Sequence, residues 1–337
     1  MTGSMARKHV SVFARKEFIF GVVIGIALVA GLPLVVVLAV AGQNHAATPA
    51  AQLGVITDIN SAHVGFLLSQ GVHLTRTDLA LNQSEESLIR NETSRGATYV
   101  GILDYDTLGV SIVNGTCTAN CNWTLGDWNK TVSEAVAAYP EVHIWEIWNE
   151  PDISTFQSGL VNGSPYNYYL VDRSAYGIIK AHNSTDKVLC LGGIYVQDLS
   201  WAKQAWRYGM ANYCDAISLH IYTGITLLNQ TPAGATESWG SYLNQTLAEY
   251  ESFTGKPIWI TETGMPTNAE GSNDSTQAEF AGQELSTLMA KPYIKAVLWY
   301  NLVSSTPQSL DFGLLNYTTM QPKPAWYIFK KFLNDTG

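Results

Sequence analysis

HIWEIWNEPD, residues 143–152, decides how the rest of the sequence is read. The run from His143 to Trp148 has the apolar density of a buried strand. It stops at an amide, a carboxyl and a ring that cannot donate a ladder hydrogen bond, Asn149-Glu150-Pro151. Glu150 is therefore expected at the carboxyl end of a strand. A second run, KPIWITETG from Lys256 to Gly264, ends in the same way on Glu262.

Outward from these two runs, short apolar segments alternate with helically spaced ones. Strands are expected at 53–59, 72–79, 97–105, 143–148, 187–195, 215–222, 257–262 and 294–301. Each precedes an expected helix, at 61–69, 84–95, 125–138, 164–182, 199–213, 237–254, 275–291 and 323–334. Eight βα units within residues 53–337 predict an α/β fold of the (β/α)8 barrel kind, which takes about 250 residues and carries reactive groups at the carboxyl ends of its strands. Glu150 and Glu262 then end the fourth and seventh strands. An open doubly wound sheet would put a glycine-rich turn after the first strand, where the sequence has Asn60-Ser61-Ala62-His63. The long connections 106–125 and 223–236 are the expected walls of a cleft.

Two glutamates facing one another at strand ends form the pair that retaining glycoside cleavage needs, a neutral acid for the leaving oxygen and an ionised carboxylate for the anomeric carbon. The structural alternative is a salt bridge at each strand end. Period-two alternation places Ile258, Ile260 and Glu262 on one face, with Trp259 and Thr261 toward the helices. It likewise groups Ser218, His220 and Tyr222, then Arg76 and Asp78, then Val297 and Trp299. Arg76 and Tyr222 are expected to lower the pKa of Glu262, and a dry setting against Trp148 to favour protonated Glu150. Asn149 is expected to bind the hydroxyl beside the reacting carbon, and Trp299 to offer a stacking face. His220 reads equally as a sugar contact or a satisfied core histidine. Glu146 reads as a buried network member of unknown partner. Trp123, Trp128, Trp201, Trp206 and Trp239 read as core packing rather than outer subsites.

WEIWNEPD, the HIY of the sixth strand, WITETG, the eighth-strand Trp and the Arg of GVHLTRTDL together resemble clan A of the glycoside hydrolases, retaining barrel enzymes that include cellulases, mannanases and β-xylosidases. The tail, DFGLLN followed by KPAWYIFKKF, is similar as well, so the resemblance spans about Leu53 to Leu333. It implies Glu150 as acid/base, Glu262 as nucleophile, and substrate contacts from Arg76, Asn149, His220, Tyr222 and Trp299. A hydrolase of β-linked neutral glycans is the expectation, with no cofactor or metal. A carbohydrate-binding surface glycoprotein without turnover, and a transglycosylase of surface glycans, are the alternatives.

The address is read separately. Residues 18–42, FIFGVVIGIALVAGLPLVVVLAVAG, carry no charge and are long enough to cross a bilayer as a helix. Arg7, Lys8, Arg15 and Lys16 precede them, so residues 1–17 are expected to be a cytoplasmic tail, 43–52 a tether and 53–337 an extracellular glycosidase domain. The alternative is a cleaved signal sequence, with Ala39-Val40-Ala41 as a small-x-small site, although the apolar run exceeds a usual h-region of roughly 7 to 15 residues. Twelve of the twenty asparagines lie in Asn-x-Ser/Thr, an enrichment that points to an exported, N-glycosylated surface. Beyond residue 17 the chain carries 15 basic and 27 acidic residues, which argues against nucleic acid or any polyanion as a partner and suits a neutral polymer. Four cysteines in an exported chain suggest disulfides 117–121 and 190–214; a metal site is the weaker reading, since no histidine sits at ligand spacing beside them.

Overall fold

The computed structural model describes residues 51–113, 116–232, 234–304 and 310–335. The expected tail at 1–17, the apolar segment at 18–42, nearly all of the tether and the sequon at Asn114 lie outside the described residues. Among the described residues no helix is long and apolar enough to cross a membrane.

Eight parallel strands close into a barrel, each followed by a helix: β1 Gln52–Val55, β2 Leu74–Asp78, β3 Thr98–Leu103, β6 Ile144–Ile147, β7 Lys187–Tyr195, β8 Ala216–Ile221, β9 Ile258–Thr263 and β10 Ile294–Trp299. The helices are α1 Ser61–Ser69, α2 Gln83–Ser94, α3 Leu125–Ala138, α4 Pro165–His182, α5 Leu199–Arg207, α6 Trp239–Thr254, α7 Asp274–Met289 and α8 Pro324–Asp335. Their starts follow local chemistry. Thr124 and Asp127 form a reciprocal capping box on α3, and Ser164 caps α4 with Pro165 in its first turn. The helix expected over 199–213 breaks at Gly209, which adopts φ 97°, and resumes as one 3-10 turn at Met210–Tyr213. A hairpin, β4 Ser111–Val113 and β5 Thr116–Ala119, occupies the connection read as plain loop.

The barrel interior is filled by Leu74, Val100, Leu189, Ala216, Trp259, Ala296 and Leu298, while a larger apolar layer lies between strands and helices. This corrects two facing assignments. On β9, Trp259 fills the interior and the Thr261 hydroxyl donates to Glu146 inside the barrel, whereas Ile258 and Ile260 join the outer layer. Glu262 still reaches the interior because a bulge adds one residue: Leu219 pairs with Ile260, but His220 pairs with Glu262. On β10, Leu298 faces inward and Trp299 outward against Phe280 of α7.

Both expected disulfides form, Cys117–Cys121 between β5 and the residues just after it and Cys190–Cys214 between β7 and the segment entering β8. Nine of the eleven described sequon asparagines are exposed and the other two half-buried.

Candidate active site

β6 ends at Ile147, and the next residues leave strand geometry sharply: Trp148 has φ 71° and Glu150 has φ 47°. Left-handed backbone at two bulky residues costs about 1 to 3 kcal/mol each and persists where the surroundings hold it. Here they do. The Trp148 indole packs among Trp123, Trp128 and Tyr105 and donates to the Phe156 carbonyl, while the Glu150 amide donates to the Gly192 carbonyl at 2.7 Å. The result aims Asn149 and Glu150 at the barrel mouth.

Arg76, almost fully buried, organises the other side. Its Nε donates to Glu146, its Nη1 to Glu262 Oε1 at 2.5 Å and its Nη2 to Asn149 Oδ1 at 2.9 Å. Glu146 thereby gains the partners its sequence position left unknown, Arg76 and Thr261. Tyr222 donates its phenol to Glu262 Oε2 at 2.6 Å, so both oxygens of Glu262 are held. Glu150 is held by His220, whose Nδ1 lies 2.7 Å from Oε1. The His220 Nε2 lies 3.7 Å from Glu262 Oε1 and has no hydrogen-bond partner. Room for that ring depends on Gly193, at φ 66°, where a Cβ would stand 2.2 Å from Nε2.

Burial pushes Glu150 and Glu262 above the ordinary carboxylate range, with different opposition. Arg76 and the Tyr222 hydrogen bond pull Glu262 back down, as expected of them, but do not overcome burial. Only His220 pulls Glu150 down, and burial lowers the pKa of His220 itself. A permanent cation is the stronger opponent, so Glu262 is the carboxyl better equipped to stay ionised. The neighbour that holds Glu150 is His220 rather than Trp148, whose indole is engaged with Trp123, Trp128, Tyr105 and the Phe156 carbonyl. An oxygen of Glu150, a nitrogen of His220 and an oxygen of Glu262 lie within 4.8 Å of one another. These are donor types that a metal accepts, yet here Arg76, Tyr222 and the imidazole already satisfy the carboxylates.

Arg76, Asn149, Glu150, His220, Tyr222 and Glu262 thus converge as expected. Trp299 does not: it is fully buried, and its indole donates to the Phe312 carbonyl at 3.0 Å. The neighbouring Tyr300 takes the inward place, lining a cavity of about 660 Å³ with Arg76, Asp78, Asp58 and His63. Tyr300, Phe312, Tyr222 and Tyr195 form a continuous aromatic wall, with ring centroids 5.5 to 6.0 Å apart at successive contacts. Tyr195, Tyr300 and Phe312 were missed in the sequence; correct facing of β10 would have found Tyr300. Trp123 and Trp128 are buried, and Trp201, Trp206 and Trp239 pack partly buried against the core, as read.

A closed parallel barrel with paired glutamates at the ends of its fourth and seventh strands defines a (β/α)8 glycoside hydrolase of the clan A type. The chain belongs to the glycosyl hydrolase catalytic core family, whose model matches residues 114–322. No curated protein matches its sequence. Among solved structures, a family 39 glycoside hydrolase from Bacteroides cellulosilyticus WH2 superposes with a TM-score of 0.61 at 18% identity, over 85% of this chain and 64% of that one. A β-glucuronidase from Bacteroides uniformis gives 0.61 at 13%, over 85% and 35%. A monomeric β-xylosidase from Caulobacter crescentus CB15 gives 0.56 at 14%, over 83% and 67%. At such identities the likeness is one of fold, and this chain spans under two thirds of the first two proteins.

Proposed function

We propose that this chain hydrolyses a β-linked neutral glycan with retention of configuration, through a glycosyl-enzyme on Glu262. The observation that carries the reading is the approach of Glu150 and Glu262 oxygens to within 4.8 Å. Retaining pairs stand about 5 to 5.5 Å apart, while inverting pairs need about 6.5 to 9.5 Å to admit a water between carboxylate and sugar.

In the first step a Glu262 oxygen attacks the anomeric carbon as Glu150 gives its proton to the departing glycosidic oxygen. In the second, Glu150 takes a proton from water, which displaces Glu262. Arg76 and Tyr222 keep the nucleophile ionised and aimed. His220 holds Glu150 through Nδ1, leaving the other carboxyl oxygen for the substrate. The Asn149 amide, fixed by Arg76 through Oδ1, presents its Nδ2 to the sugar hydroxyl next to the reacting carbon. Tyr300 and its aromatic neighbours replace Trp299 as the stacking face.

The same reading includes an extracellular setting, with residues 18–42 as membrane anchor or signal sequence and N-linked glycans on the domain. Its supports are the uncharged apolar run, the exposed sequons and the two disulfides.

The test is release of reducing ends from a panel of β-glucans, mannans and xylans, with Glu262→Ala in parallel. Release by the wild type and its loss in the variant are expected. Transfer to a sugar acceptor without release would identify a transglycosylase, and binding without turnover a binding glycoprotein; either would overturn hydrolysis.

A further inference from the structure

Beside the catalytic cleft, β2 and β3 run parallel with Asp78 opposite Ile102. Asp78 ends β2, two residues beyond Arg76, and Asp104 and Asp106 follow the end of β3. One carboxylate oxygen from each of the three lies within 4.8 Å of the others. Three like charges so close are unfavourable unless a proton or a cation lies between them. Arg76 draws down the pKa of Asp78 and Asp104, but its three donor nitrogens go to Glu146, Glu262 and Asn149.

Asp104 supplies an independent observation. It is fully buried, and its carboxylate turns toward the other two acids. One oxygen accepts the Asp106 amide at 2.9 Å, while Oδ2 is buried with no hydrogen-bond partner. Buried carboxylate oxygens are ordinarily satisfied, so the unpartnered Oδ2 of this buried member leaves a place for a proton or a ligand at the cluster. Burial, then Asp78 and Asp106, hold Asp104 well above the usual carboxylate range, and burial and Asp78 push Asp106 up to about 6.

We propose that Asp78, Asp104 and Asp106 form a divalent cation site, with Ca2+ as its fitting occupant. Three oxygens no more than 4.8 Å apart can all be reached from a point about 2.8 Å or less from each, close to the Ca2+–oxygen range of about 2.3 to 2.6 Å. The all-oxygen donor set selects a hard cation over zinc or copper. Asp78 and Asp106 are exposed, leaving a solvent side where water completes the shell. A cation here would fix the end of the strand that carries Arg76 and neutralise one wall of the cavity that Asp78 lines.

The experiment titrates the purified full chain with Tb3+ and follows luminescence sensitised by tyrosine, since Tyr105 lies between two of the ligands. Wild type is expected to show one saturable site that Ca2+ displaces, with affinity at least tenfold weaker in Asp104→Asn and in Asp106→Asn. Ca2+ should raise the Tm of the wild type and not of Asp106→Asn. Should Asp104→Asn fail to fold, the exposed Asp106 carries the comparison alone. Absence of a saturable signal in the wild type, or equal affinity in Asp106→Asn, would overturn the proposal.

Discussion

One fully buried imidazole touches both carboxylates of the site: His220 lies 2.7 Å from Glu150 through Nδ1 and 3.7 Å from Glu262 through Nε2. Its hydrogen bond is the main influence holding Glu150 down against burial. In His220→Ala the pKa of Glu150 should rise further. Because the first step requires protonated Glu150, the alkaline limb of kcat/KM should move to higher pH, while the maximum falls about 10- to 100-fold from lost positioning. A limb that stays in place would show that Glu150 does not depend on His220.

Arg76 acts in the same sense on Glu262, drawing its pKa down against burial. Removing it by Arg76→Met leaves Glu146 and Glu262 buried without their cation, a loss of about 3 to 5 kcal/mol for breaking a buried pair. The nucleophile must be ionised, so the acid limb of kcat should also move to higher pH. Chemical denaturation and a pH–rate profile measure the two effects separately; an unshifted acid limb would remove Arg76 from the account.

Gly193 offers a steric test. A methyl group there would overlap the His220 ring, because the Cβ would lie 2.2 Å from Nε2. Gly193→Ala should lower kcat by roughly 100-fold with a smaller effect on KM, since a displaced imidazole misplaces Glu150. Unchanged kcat would mean that the ring is free to move.

Tyr300 and Trp299 should separate cleanly. Tyr300→Ala is expected to raise KM several-fold with little change in Tm, as a lost stacking face does. Trp299→Ala should destabilise by about 3 to 5 kcal/mol, as truncation of a large buried aromatic does. The reverse pattern in substrate kinetics and thermal melts would restore Trp299 as the platform.

Away from the cleft, Glu284 of α7 is buried against the Thr263 hydroxyl, and burial raises its pKa from 4.5 to about 8. A carboxyl whose folded pKa lies above its unfolded value favours the fold most below about 4.5, and that contribution is lost as pH rises toward 8. Glu284→Gln should therefore leave Tm unchanged near pH 4.5 and raise it progressively up to pH 8, by a few kcal/mol in stability. A constant offset across that range would contradict the shift.

Much of this was legible in the sequence. The βα rhythm gave every barrel strand to within a few residues, since each strand is an apolar run closed by polar turn residues, and the motif ends placed Glu150 and Glu262. The facing of β9 and β10 was not legible. Strands of a parallel barrel are apolar on both sides, so alternation in VLWY does not say which set is inside. The bulge at Thr261 hid the parity of β9 further: it lets Thr261 and Glu262 both enter the barrel, which no strict period of two allows. Tyr195 and Phe312 reach the site from the end of β7 and from the stretch after β10, where side-chain direction has no periodic signal.

The central claim is that Glu150 and Glu262 stand too close for a water to attack directly. Once a cleaved β-glycoside is in hand, the anomeric configuration of the first-formed product, read by 1H NMR before mutarotation, tests it most directly. The geometry predicts that the β-anomer appears first; an α-anomer appearing first would contradict the glycosyl-enzyme on Glu262.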